Sequence, residues 1–386
     1  MLMVAAALVL VGCGQVQRAA RPADPPKRVA TPVLADSATR FPGRLLGLLA
    51  TGGANVAVSP FSISQALALA HVGARGATAA QIAAVLGLGH GPPESPQSVR
   101  VANGLYGQRG VPFRAAFLNT LAREYGAPLH LVDFMRDPAG AVAEINAWVD
   151  TETHGKIPQL LSPGDVDTST RLTLIDAIYL HAKWLSPFDP SMTAPAPFQT
   201  PSGEVDVPTM RQSGEFGYLR GDGYRVLELP YRDGSLAFDV LLPDGDGVAP
   251  LLERVTRSGP LALLHGLQMT RVAVALPRLR LRTSLDLTGA LEQLGMPRAF
   301  CASGGADFSG MAPIPLCIRH VVHAAYVRVD EAGTEAAAAT GAVMVTAAIA
   351  APPPIQFDVD RPFVFVLRDT RTSAVLFEGV VRRPEP

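Results

Sequence analysis

The residues of this chain that could do chemistry are few and badly spaced for it. No GxSxG, SxxK, HExxH or GxxxxGK[ST] string occurs in its 386 residues, so hydrolase, metalloprotease and phosphate-cradling chemistry has no local signature. His320 and His323 have a spacing that would suit a metal on a helix. Their context, "CIRHVVHAAYVRVDE", is rich in β-branched residues and reads as a strand. Residues three apart on a strand face opposite sides, which favours structural histidines over a metal site; no metal and no cofactor is implied. Asp176 is an anomaly of another kind, a carboxylate inside the otherwise apolar "RLTLIDAIYLHAKW". The most unusual segment has no reactive groups of its own. In "DEAGTEAAAATGAVMVTAAIAAPPP", residues 330 to 354, no charge follows Glu335 and most side chains are tiny. Such a run is too apolar for an ordinary loop and too small to anchor a core.

Composition bounds the molecule that must position these residues. With 48% hydrophobic and 17% charged residues, the chain can bury a large core as one domain or two intimate subdomains. The net charge of -1 gives no electrostatic reason to expect nucleic acid as a partner. Any partner is recognised by shape. A monomer is expected.

Residues 1–12, "MLMVAAALVLVG", are apolar but too short to span a bilayer, and read as the core of a signal peptide. They end in "LVGC", which resembles a bacterial lipobox, although no Lys or Arg precedes the apolar run. That resemblance implies acylation of Cys13 and a membrane-anchored, extracytoplasmic lipoprotein; a simple cleaved signal and a secreted protein is the alternative. Residues 13–36 read as a flexible tether, with the folded domain from about Ser37 to the end. Cys301 and Cys317 remain, an even pair that suggests a disulfide outside the cytosol, two unpaired thiols being the other reading.

Along the domain, Ser59 followed by Pro60 predicts a capped helix broken at Gly73 and Gly76, apolar on nearly every face and therefore buried. Thr78 and Gln81 have capping-box spacing for a second helix ending at Gly87. Helices are also expected in 110–127, in 141–161 with a stop at Gly155, and near "DLTGALEQLG". Residues 171–184 read as a central strand covered on both faces. Further strands are expected at 224–231, 236–244, 271–282, 318–331, "RPFVFVLRD" and "AVLFEGVVR". Helices first and strands later is an α+β pattern.

These segments, in this order, resemble the serpin family from about Ser37 onward, carried by "NVAVSPFSIS", "VANGLYGQ", "INAWVDTETHGKIPQLL", "DAIYLHAKW", "ADFSGM", "VVHAAYVRVDEAGTEAAAAT", "DRPFVFVLRD" and "FEGVVRRP". The resemblance implies a large central β-sheet, two smaller sheets, about eight or nine helices and an exposed reactive-centre loop over about 331–356. It also implies an inhibitor, not an enzyme: a serine protease attacks the loop as bait, and the cut loop inserts as a new strand while still esterified to the protease. The residues suit that role independently. Thr334, Ala336, Ala338, Thr340, Ala342 and Met344 would share one strand face with nothing charged on it. About ten new backbone hydrogen bonds at roughly 0.5–1.5 kcal/mol each amount to some 10 kcal/mol, comparable to a whole domain's stability. An alanine-rich helix is the competing reading of "GTEAAAAT".

By the resemblance, Glu331, Gly333, Thr334, Glu335, Ala336, Ala337, Ala338, Ala339 and Thr340 form the hinge, and Gly341 departs from the usual alanine. The family's usual spacing, counted from Gly333, implies a scissile bond at Ala347–Ala348, within a window from Val345 to Ala351. Every residue there is small or β-branched, so targets with a shallow apolar pocket, elastase-like or subtilisin-like, are expected and trypsin is not. Arg278 and Glu331 match an ion pair where the loop enters the sheet, two solvated charges being the alternative. Ser62, Asp176, Trp184 and His323 match positions that support sheet opening, with Asp176 where the family normally has Asn. An ionised Asp176 would favour imidazolium at His323 and pH-dependent opening between about pH 5 and 8; simple acceptance of a bond from Ser62 is the other reading. Rival functions are a non-inhibitory serpin acting as a binding or chaperone-like protein, a surface hydrolase, and a structural lipoprotein.

Overall fold

The computed structural model describes residues 32–87, 99–245, 247–334 and 352–385, with side chains from 39 in the first segment and from 101 in the second. Strands β2 (Val99–Gln108), β3 (Leu129–Val132), β4 (Leu172–Leu180), β5 (Ala182–Lys183), β11 (Leu279–Asp286), β12 (Val321–Asp330) and β13 (Gly333–Thr334) form a seven-stranded sheet. Its order is β3-β2-β4-β12-β13-β5, with β11 also on β12. The expected central strand is β4, and all nine of its residues are buried. It pairs antiparallel with β2 but parallel with β12, Leu174–Tyr179 facing Val321–Tyr326. Parallel neighbours need a long crossover, and here residues 181–320 lie between them.

The second sheet has nine strands. In order these are β1 (Val56–Val58), β16 (Val375–Val381), β15 (Phe363–Asp369), β9 (Leu236–Pro243), β8 (Tyr224–Pro230), β7 (Gly203–Arg220), β10 (Gln268–Pro277) and β14 (Ile355–Asp358), with β6 (Ala194–Thr200) on β7. The two smaller sheets expected from the resemblance are thus continuous, because β7 runs unbroken for 18 residues. It meets β6 and β10 along most of its length and β8 at its end. The strand expected over 271–282 is in fact two. The chain leaves β10 at Pro277, turns through Arg278 and enters the other sheet as β11.

Seven α-helices lie among the described residues: α1 (Pro32–Leu49), α2 (Pro60–Gly73), α3 (Gly76–Leu86), α4 (Ala115–Thr120), α5 (Pro138–Glu152), α6 (Ala249–Ser258) and α7 (Thr288–Leu294). Helix α1 begins inside the expected tether, with Pro32 at a position where its missing N–H costs nothing. Helix α2 is capped as predicted, the Ser62 amide donating to Ser59 Oγ at 3.0 Å. It is buried against β2, β4 and β16. The capping box at Thr78 and Gln81 does not form, since α3 starts three residues earlier, after Arg75. Both side chains instead bind a distant segment: Thr78 Oγ1 accepts from the Asp307 amide at 3.0 Å, and Gln81 Oε1 accepts from the Arg298 amide at 3.0 Å. Gly87 does end the helix, in the left-handed conformation.

The apolar core between the two sheets includes Phe61, Ile178, Trp184, Tyr231, Phe238 and Phe365. A smaller core under α5 includes Tyr106, Ile145, Tyr179 and Tyr326. No described helix is long and apolar enough to cross a membrane.

Candidate functional site

The top of the seven-stranded sheet is where the unusual segment begins. Strand β12 ends at Asp330, the chain turns at Glu331 and Ala332, and Gly333–Thr334 runs back as β13 between β12 and β5. Val329 faces Thr334 on one side, and Ala182 faces it on the other. The turn is tightly fixed. Trp184 donates its backbone N–H to Ala332 O at 3.0 Å and its indole N–H to Asp330 O at 2.9 Å. Phe188 donates to Glu331 O at 2.9 Å. A Cβ on Gly333 would stand 2.1 Å from Ala182 O, at a φ of 150°, so only glycine fits there.

Thr334, the first residue expected to pass into the sheet on insertion, is already inside it. Its side chain is fully buried and shares a hydrogen bond with the Tyr231 hydroxyl. Tyr231 is stacked on Trp184, ring centroids 4.5 Å apart and planes 17° from parallel. The sequence shows both aromatic residues but nothing that says they meet.

Arg278 and Glu331 come together just outside this point. Arg278 Nη2 lies 2.6 Å from Glu331 Oε1 and its Nε donates to the same oxygen at 2.8 Å. Thr193 Oγ1 also donates to that oxygen. Burial works to raise the carboxyl's pKa, but the bonds from Arg278 and Thr193, with the guanidinium charge, more than offset it and hold Glu331 below its ordinary value. Thr193 was not visible as a partner from sequence, because it lies 138 residues away.

Lower in the sheet, Asn103, Asp176 and His323 stand side by side on β2, β4 and β12. Asp176 Oδ2 accepts from Ser62 Oγ at 3.0 Å and from His323 Nδ1 at 2.8 Å, and all three side chains are fully buried. The other ring nitrogen, His323 Nε2, receives the backbone N–H of Ser59 at 3.2 Å. A backbone amide can only donate, so Nε2 is the acceptor and the ring proton sits on Nδ1. The alternative reading, Asp176 accepting a bond from Ser62, is present in this arrangement. Asp176 Oδ1 and Asn103 Oδ1 have no hydrogen-bond partner among the described residues. Asn103 also donates to Ser62 O at 3.1 Å. Asn103 and Ser59 belong to this cluster, although only contacts across three elements identify them.

The remaining candidates separate. His320 faces away from His323 and binds Asp286 at 2.6 Å, and no group of three or more metal-ligating side chains lies among the described residues. Cys301 and Cys317 are joined by a disulfide with Cα atoms 4.9 Å apart. Cys13, the hinge from Glu335 to Thr340 and the bait window from Val345 to Ala351 lie outside the described residues.

The two middle strands of the seven-stranded sheet are thus joined in parallel below and parted above by the start of a loop. The family model described as "Serpin (serine protease inhibitor)" matches residues 36–384, and the chain belongs to the serpin family. It is a protease inhibitor by family, not an enzyme. Among its relatives, the leukocyte elastase inhibitor of Bos taurus is 39% identical over 355 residues, spanning 86% of this chain and 93% of that protein. The protein Iris of Ixodes ricinus is 36% identical over 348 residues, 85% of this chain and 92% of that protein. Serpin48 of the insect Tenebrio molitor superposes with a TM-score of 0.80 at 32% identity, covering 92% of this chain and 98% of that one. Uncleaved ovalbumin gives 0.79 at 26% identity, covering 91% and 100%.

Proposed function

We propose that this serpin is a suicide substrate for serine proteases with a shallow apolar pocket, elastase-like or subtilisin-like, and that it traps the acyl-enzyme by inserting its cut loop between β4 and β12. One observation carries the reading: Gly333–Thr334 already occupies the first two places of a strand running antiparallel to β12 and β5. Extending it downward would replace one parallel pairing of six residue pairs, Val321–Tyr326 with Leu174–Tyr179, by two antiparallel ones. Antiparallel pairs are slightly more stable per residue, and their number would double. Attack at the bait releases this arrangement from its trap.

The target class rests on the bait window. Residues 345–351 offer no Arg, Lys or aromatic side chain to an acidic or deep pocket, and a relative carries the name leukocyte elastase inhibitor. Incubation with a pancreatic-type elastase and with subtilisin should give SDS-resistant complexes, and trypsin should give none. Mass spectrometry of the released C-terminal peptide should place the cut between Val345 and Ala351. Stoichiometric trapping of trypsin alone would overturn the target class. The lipobox-like "LVGC" supports an extracytoplasmic site of action through lipid at Cys13, checked by loss of palmitate labelling in Cys13→Ser.

A further inference from the structure

The hinge is held from two sides by two different devices. Outside the sheet, Glu331 is gripped by Arg278 and Thr193. Inside it, Thr334 meets the hydroxyl of Tyr231, a residue that follows β8 of the other sheet. This second contact ties the first residues of the loop to the segment that follows β8, which is itself bridged to Trp184 beside β5. Thr334 is the partner of Tyr231 Oη, and withdrawal of the hinge would take that bond from a fully buried phenol stacked on Trp184.

We propose that Tyr231 is a positioning residue for loop insertion, latching Thr334 so that the new strand starts from a fixed register. The inference rests on the inhibitory reading above. Register matters because strand side chains alternate: with Thr334 facing the core, residues 336, 338 and 340 would follow it inward and Glu335 would face out. A slip by one residue would turn the Glu335 carboxylate onto the apolar face. Insertion runs in competition with hydrolysis of the ester to the protease, so a loop that must first find its register loses time in that race. Tyr231 sets the starting point before the protease arrives. The stack on Trp184 holds the phenol in place and does not itself need the hydroxyl.

The test compares the full-length protein with Tyr231→Phe, which keeps the stack and removes the hydroxyl, with Thr334→Val, which keeps the shape and removes Oγ1, and with the double variant. Hydrogen exchange of the 331–334 segment should rise about tenfold in each single variant and no further in the double. Exchange across β4 should stay unchanged. With subtilisin or an elastase, the moles of inhibitor consumed per mole of protease trapped should rise severalfold, with the rate of cutting undiminished. Unchanged exchange at 331–334 in Tyr231→Phe, or additive effects in the double, would overturn the latch. Raised exchange with unchanged stoichiometry would show a latch that does not position insertion, which also overturns the proposal. The exchange measurement needs no protease, so a parent chain that trapped no protease at all would count against the inhibitory reading alone.

Discussion

At the scale of single residues, this protein carries acids in places where a carboxylate is costly. Glu378, on β16, is fully buried with neither carboxylate oxygen bonded among the described residues, opposite Val58 on β1 and Val366 on β15. Burial alone pushes its pKa well above the ordinary value. Two strands along lies Asp239, which burial pushes up to about 7 against the pull of Arg368. For an acid whose folded pKa is raised, the folded state binds the extra proton. Stability is therefore complete below the unfolded value, near 4, and falls as pH rises through the folded one. Glu378→Met, which removes two unpartnered oxygens at little change in volume, should stabilise the protein by about 1–3 kcal/mol at neutral pH. It should also flatten the decline that sets in as pH rises above about 4. Thermal unfolding of parent and variant at pH 5 and 8 checks both; a variant gaining nothing at pH 8 would mean that Glu378 finds a partner or water.

At the scale of the element, the two residues of β13 decide how the loop starts. Thr334 is buried against Tyr231, so an arginine there has no room even before attack. Its guanidinium could leave only by carrying the hinge out of the sheet, since burying it unpaired costs several kcal/mol. Thr334→Arg should thus be cut at the same bond at an equal or greater rate, yet release active protease instead of trapping it. Residual protease activity after prolonged incubation, together with complexes on denaturing gels, distinguishes the outcomes. Trapping at unchanged stoichiometry would show that the buried start of β13 is not needed.

At the scale of the whole molecule, the proposed trapping mechanism draws on the parallel seam between β4 and β12. The uncut chain leaves that seam closed from Val321 to Tyr326, and filling it with a strand should add on the order of 10 kcal/mol. A chain nicked within residues 345–351 should melt at least about 10 °C above the intact one. Calorimetry before and after limited proteolysis measures this directly. Equal melting temperatures would mean that the cut loop stays outside.

The sequence by itself determined what is local or periodic. The capped, all-apolar α2, the doubly buried β4, the small uncharged run after Glu335 and the order of family motifs were all legible, because each depends on residues within one turn or one strand. Tertiary structure alone decided what depends on distant neighbours. Thr78 and Gln81 look like a cap but bind residues more than 200 positions away. A single strand pattern over 271–282 splits at Arg278 because its two halves find partners in different sheets. Asp176 and His323 are both visible in the sequence, but only the fold brings the Ser59 amide to the far ring nitrogen. Tyr231 and Thr334 lie 103 residues apart, and neither residue type reveals the other. Side-chain pairing across a core is fixed by how layers stack, and no short-range pattern in the chain encodes that.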